Sequence, residues 1–257
     1  MSFGLTAFCT AESVQPGELA AAVEASGFEL LLFPDHTHFP VSRRTPYPGG
    51  GVDLPAEYSR TYDPLIACSF ASITTTRLRV GIGVCPVTAR DPIVLAKQVA
   101  SVDVLCGGRF SFGVGAGWNV EEVEDHGVRA GDRWAAMRER VLAMRQIWTE
   151  DEASFSGAFV EFEPMWSWPK PLQRPYPPIL VGGYGPRVLE RVIEYGDEWV
   201  AMVLPGGPSL RERMDELGVS PIRPGVRCRA CRCRCTAIRR ANGSSSGTSV
   251  WASIASI

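Results

Sequence analysis

Four short stretches carry residue types that bind or react, and each follows an apolar run. Asp35 and His36 end the run from Phe28 to Phe33, and Gly83 and Val84 end the alternating run that starts at Leu78. A histidine exchanges protons near neutral pH because its unperturbed pKa is about 6.5, although by type alone it serves equally as a structural hydrogen-bonding side chain. The third stretch, Arg109 to Glu122, places Phe110, Phe112 and Val114 at period two with Gly113, Gly115 and Gly117 between and after them, then delivers Ala116, Trp118 and Asn119. Such glycines let a backbone approach something closely. Trp118 offers a flat apolar face and Asn119 offers donors and an acceptor, with capping of the core as the alternative for Trp118. The fourth, Gly182-Gly183-Tyr184-Gly185-Pro186, runs into a helical pattern. Free N–H groups at a helix start favour phosphate, and an ordinary tight turn is the alternative.

Other chemistries find less support. His36, His38 and His126 stand without a His-Glu-x-x-His pattern, so no metal site is expected. Cys9, Cys68, Cys85 and Cys106 lie singly in apolar surroundings, as small buried hydrophobes do. Glu121 and Glu122 are expected to open a helix, where acids suit the macrodipole.

The elements that must position these residues alternate strand and helix. Leu5 to Cys9, Phe28 to Phe33, Leu78 to Val84, Phe110 to Val114, Pro178 to Gly183 and Glu198 to Leu204 read as strands. Helical spacing recurs before Gly27 and over 63–75, 92–105, 133–148, 186–195 and 209–217. Residues 37–58 and 150–178, rich in proline and glycine, read as long loops. This alternation predicts an α/β protein with a parallel sheet covered by helices. Ligand-type turns after many strands, and no Gly-x-Gly-x-x-Gly after the first, favour a closed (β/α)₈ barrel over an open doubly wound sheet. In a barrel, the strand ends named above share one face.

The totals suit a soluble protein and expose an anomaly. The 45% apolar content supports a large core, and neither a membrane-length apolar run nor a basic-then-apolar leader occurs, which predicts a cytoplasmic location. The net charge of −2 hides seven arginines and no acid from Arg223 onward, leaving residues 1–222 at −9. We therefore separate a barrel domain, 1–218, from an atypical tail, 219–257, holding Cys228, Cys231, Cys233 and Cys235. Thiolate metal binding and a basic nucleic-acid arm are weak readings of it, for want of supporting ligands or aromatics. Out-of-frame translation of a GC-rich gene is a third, under which the barrel would end incomplete or aberrant. Val250 to Ile257 still has the composition of an apolar strand.

The motifs together carry a resemblance. Phe33-Pro-Asp-His36, Ser42-Arg-Arg-Thr-Pro-Tyr-Pro-Gly-Gly50, Arg90-Asp-Pro with Leu95-Ala-Lys-Gln, Gly107-Gly-Arg-Phe, Gly113-Val-Gly-Ala-Gly-Trp-Asn and Pro178-Ile-Leu-Val-Gly-Gly occur in order. The chain over roughly 1–218 resembles the bacterial luciferase-like monooxygenase superfamily, in its deazaflavin-dependent oxidoreductase branch. The resemblance implies a (β/α)₈ barrel with a 5-deazaflavin, coenzyme F(420), or alternatively FMN, across its C-terminal face. It implies a non-proline cis peptide at Gly83-Val84 behind the ring, contacts from the Gly115 to Asn119 turn, and a phosphate loop at Gly182 to Pro186. Asp35 and His36 match the pair beside the ring, His36 steadying or protonating the reacting group. Trp118 stands where the sugar-phosphate dehydrogenases of the superfamily have an acid, so their substrate is not implied. The expected activity is hydride transfer between reduced cofactor and a small organic substrate. The alternatives are oxygen insertion on FMN, for which deazaflavin is poorly suited, and a degenerate barrel that binds cofactor without turnover. The partner implied is a small molecule, with no nucleic acid and no membrane, and with a homodimer compatible.

Overall fold

The computed structural model describes residues 3–50, 54–202, 212, 234–241 and 250–254, with the backbone alone for residues 3, 202 and the last two segments. In chain order these are β1 (Phe3–Ala7), α1 (Pro16–Ala25), β2 (Leu30–Phe33), α2 (Pro64–Ile73), β3 (Arg79–Pro86), α3 (Pro92–Leu105), β4 (Phe110–Gly115), α4 (Val120–Asp125), α5 (Arg133–Thr149), β5 (Ala153–Ser156), β6 (Glu161–Met165), β7 (Ile179–Gly182), α6 (Val188–Tyr195), β8 (Glu198–Met202), β9 (Arg234–Ala241) and β10 (Val250–Ile254). Three helices start on a proline, whose fixed φ suits the first turn and whose missing N–H costs nothing there. Asp63 and Asp91 cap α2 and α3 by accepting the N–H groups of Leu65 (2.9 Å) and Val94 (2.8 Å).

The strands β1, β2, β3, β4, β7 and β8 pair in parallel, each with the next in that order. This is the α/β sheet that the alternation predicts. The eightfold all-parallel barrel needs correction: β9 pairs parallel to β8, but β10 runs antiparallel to both β9 and β1 and completes the ring. Val250–Ile254 is thus a strand, as its composition suggests. The expected helix over 209–217, apart from Glu212, and Cys228, Cys231 and Cys233 lie outside the described residues.

Period two divides the core. Leu31, Phe33, Phe110, Phe112, Val114, Ile179, Val181 and Trp199 pack outward against helical residues such as Val99, Val141, Met144 and Trp148. Leu30, Leu32, Leu180 and Val200, all on strands, form a separate inner cluster with Val84 packed on it. Between Phe112 and Val114 the inward position is Gly113, and a Cβ there would lie 2.0 Å from the Ile82 carbonyl oxygen. The glycine is needed for that close approach.

Two further segments differ from expectation. The insertion 150–178 contains an antiparallel hairpin, β5 with β6, whose turn donates the N–H groups of Ala158, Phe159 and Val160 to the Glu139 carboxylate of α5 at 3.1, 2.7 and 3.3 Å. Its strands, of four and five residues, are too short for the alternation of Ala153 with Phe155 and of Glu161 with Phe162 to stand out among the prolines and glycines around them. Helix α6 starts at Val188 rather than Pro186, after a turn in which the Val188 N–H donates to the Gly185 carbonyl. Among the described residues no helix is long and apolar enough to cross a membrane.

Candidate active site

The C-terminal ends of β2, β3, β4 and β7 surround a cavity of about 400 Å³, lined on those ends by Asp35, His36, Gly83, Val84, Ala116, Gly117, Trp118, Gly182, Gly183 and Tyr184. Residues far apart in sequence meet because parallel strands deliver their ends to one face. Val84 forms the floor, resting on the inner cluster, and the peptide before it is cis. The β3 to β4 register shifts between Ile82 and Cys85, which is where this peptide sits. Trp134, at the start of α5, closes one side with the Arg191 guanidinium 3.7 Å from its ring centre.

The fourth stretch is split by the structure. Gly182, Gly183 and Tyr184 line the cavity, whereas Gly185 and Pro186 are exposed outside it. Gly183 has φ +150°, open to glycine, and its carbonyl accepts the indole N–H of buried Trp199 at 2.9 Å. That bond ties the turn to β8.

Asp35 takes a different part from the one its position suggests. Its buried carboxylate accepts two hydrogen bonds from Arg90, Nε to Oδ2 at 2.9 Å and Nη2 to Oδ1 at 2.7 Å, and Arg90 also reaches Asp63 at 2.8 Å. Burial works against the Arg90 charge, but the hydrogen bonds and charge of Asp35, with Asp63, outweigh it and raise the guanidinium pKa. Asp35 therefore locks the end of β2 to the β3–α3 junction and to the cap of α2. Asn119 is also repositioned: it is fully buried outside the cavity lining and caps α4 through the Glu122 N–H at 3.4 Å.

His36 does face the cavity. Its Nδ1 lies 2.8 Å from Glu122 Oε2, and its Nε2 accepts the Trp118 indole N–H at 3.3 Å. An indole N–H only donates and a carboxylate only accepts, so the ring is neutral with its proton on Nδ1. Phe39, Tyr58 and Trp118 surround it with ring centres 4.4, 5.7 and 5.7 Å away, and Tyr47 packs on Trp118 and Tyr58 at 6.0 and 5.3 Å.

The loop that brings these aromatics is held by α4. Glu121 accepts the Arg44 N–H, the Thr45 N–H (3.1 Å) and the Thr45 hydroxyl (2.7 Å); Glu124 accepts from Arg44 Nη2 at 2.6 Å; and Asp125 pairs with His38 at 3.0 Å. Burial alone would raise the Glu121 pKa, yet the Thr45 and Arg44 hydrogen bonds outweigh it and hold it down at about 2. So the acids expected merely to start a helix form a latch for residues 36–45. Sequence reading missed Arg90, Asp63, Glu122, Tyr47 and Tyr58 as site residues. Arg90-Asp-Pro was visible as a motif, but only folding shows what its arginine grips.

The site's walls suit a small organic ligand with an apolar or aromatic body. They are mostly apolar and aromatic, the volume is that of pockets for small ligands, and the glycine turn before α6 stands at the rim. A parallel α/β sheet with such a site at its strand ends defines a class. The family model described as luciferase-like monooxygenase matches residues 14–217, and the chain belongs to that family. An uncharacterized protein of Mycobacterium tuberculosis is 41% identical over 203 residues, 78% of this chain and 72% of its own length. An FMNH(2)-dependent dimethylsulfone monooxygenase of Pseudomonas putida is 33% identical over 65% of this chain and 42% of its own. Among solved structures, an F(420)-dependent secondary alcohol dehydrogenase shares the fold with TM-score 0.63 and 23% identity, over 86% of this chain and 66% of that one. A monooxygenase from Streptomyces bottropensis gives 0.64 at 24% identity, over 81% of this chain, which spans 60% of that one.

Proposed function

We propose that the protein is an oxidoreductase that moves a hydride between a deazaflavin, coenzyme F(420), and a small organic substrate. The observation that carries this reading is the neutral imidazole of His36 on the wall of an otherwise largely apolar cavity. Hydride transfer to or from a carbon bearing oxygen or nitrogen needs a partner for the substrate proton, and His36 Nε2 would take or return it once the Trp118 N–H releases its one lone pair. Gly83 and Val84 would support the ring from below, and the Gly183-Tyr184 turn would hold the phosphate by backbone N–H groups. When bound, the cofactor supplies the redox chemistry; the chain orients it, excludes water with the aromatic loop, and handles the proton.

A second reading, oxygen insertion on reduced FMN, is favoured by the likeness to the Pseudomonas putida enzyme. Fluorescence titration of the purified protein with each cofactor separates the two. We expect tight deazaflavin binding; tight FMN binding alone supports the second reading, and binding of neither supports a barrel without turnover. In the loaded enzyme, His36→Ala should lower kcat by about 10²- to 10⁴-fold with cofactor affinity little changed. An unchanged rate would remove His36 from the mechanism.

A further inference from the structure

Glu122 is fully buried, and its two oxygens serve different partners. Oε2 accepts the His36 Nδ1–H at 2.8 Å, while Oε1 accepts the Thr37 N–H at 2.8 Å and the Thr37 hydroxyl at 3.3 Å. A buried carboxylate is costly unless its lone pairs are satisfied, and these donors satisfy it. His36 and Thr37 are adjacent in sequence, so the carboxylate that orients the imidazole also pins the first residue of the latched loop. We infer that Glu122 is a positioning residue for His36. It holds the ring as the Nδ1–H tautomer, keeps the Nε2 lone pair at the cavity wall, where it accepts the Trp118 N–H until a substrate proton displaces that bond, and couples that state to docking of residues 36–45. This rests on the reading of His36 as the proton-exchanging group.

Replacing the acid by its amide shows why the carboxylate is needed. The single oxygen of a glutamine at 122 is claimed by the Thr37 N–H, so its NH₂ faces Nδ1 and demands a lone pair there. The proton then moves to Nε2, where it opposes the Trp118 N–H and no acceptor faces the substrate. Thr37→Val removes hydroxyl bonds but keeps the backbone N–H and the carboxylate, so it loosens the loop without changing the demand on Nδ1. Trp118→Phe removes the donor at Nε2 and leaves Glu122 in command of the tautomer.

The test reads the imidazole nitrogens by ¹⁵N nuclear magnetic resonance in the cofactor-free protein at pH 8. The chain has three histidines, so His38→Gln and His126→Gln assign the spectrum. We expect Nδ1–H for His36 in the wild type, Thr37→Val and Trp118→Phe, and Nε2–H or a mixture in Glu122→Gln. In the loaded enzyme, Glu122→Gln should lower kcat on the order of 100-fold with cofactor affinity within about twofold, and Glu122→Asp should recover part of the loss. A wild-type Nε2–H signal overturns the inference whether or not the glutamine variant folds. So does Nδ1–H retained in Glu122→Gln, or a tautomer change in Thr37→Val equal to that in Glu122→Gln. Failure of both cofactors to bind would sink the proposed function and leave the tautomer result standing.

Discussion

The two sides of the cavity are built on different principles. On the β3, β4 and β7 side the walls are backbone and small side chains, Gly83, Val84, Gly115 and Gly182, fixed by strand pairing and by contacts too close for a Cβ. On the β2 side the wall is a loop whose aromatics stay in place because buried or half-buried charges bridge it to α3 and α4. The first side is rigid for steric reasons that salt and pH leave untouched. The second is held by side-chain ion pairs and hydrogen bonds, including those of Glu121, so it is the side expected to respond to pH and to charge substitutions.

The largest effect should come where charge and burial coincide. Asp35→Ala leaves Arg90 buried with only Asp63, and should cost roughly 3–5 kcal/mol in denaturant unfolding. A loss under 1 kcal/mol would show that the pair is solvated and that the contrast between the sides is overstated. Next, Gly113→Ala forces a methyl into the Ile82 carbonyl and should cost about 3 kcal/mol, without dependence on pH.

Glu121→Gln should act locally, weakening the latch by roughly 1–2 kcal/mol. Its signature is faster hydrogen exchange over residues 36–45 with unchanged protection in β4. The pH response has a definite sign. The Glu121 pKa is depressed to about 2 when folded, so its contribution is fully present above the unfolded carboxylate value of about 4.3 and is lost as pH falls toward 2. His126 has its pKa lowered, by partial desolvation and then by His38, so charging it on acidification works in the same direction. Limited proteolysis should therefore cut residues 36–45 progressively faster below pH 4, and an acid-insensitive loop would contradict the latch. The smallest effect is expected for Arg44→Ala, whose exposed, solvent-screened guanidinium should leave denaturant unfolding close to that of the wild type. A larger loss would mean that the latch is cooperative.

Apart from the β5–β6 hairpin, the order of strands and helices through β8 was legible because burial on both sheet faces writes itself as short apolar runs, and proline and aspartate mark helix starts. The glycine side of the site was legible for a related reason: a strand end that cannot tolerate a Cβ declares itself by residue type, as Gly83, Gly115 and Gly182 do. The antiparallel β10 was not, since an apolar run has no direction until it finds a partner. The latch was invisible as well. Val120 to Asp125 reads as an acidic helix start in any context, and Arg90 stands in a motif without a partner, because side-chain pairing across 55 or more residues leaves no periodic trace.

What the sequence by itself determined was the alternation of elements, the apolar and glycine positions, and the presence of Asp35, His36 and Trp118 at strand ends. Tertiary structure alone decided what those residues became. Asp35 is a lock because Arg90 arrives from the end of β3, Asn119 is a cap because α4 begins there, and His36 is an acceptor because Glu122 and Trp118 meet it from two sides. The physical reason is that residue type sets which bonds a side chain can make, while the neighbours that satisfy them are chosen only when distant strands are brought side by side.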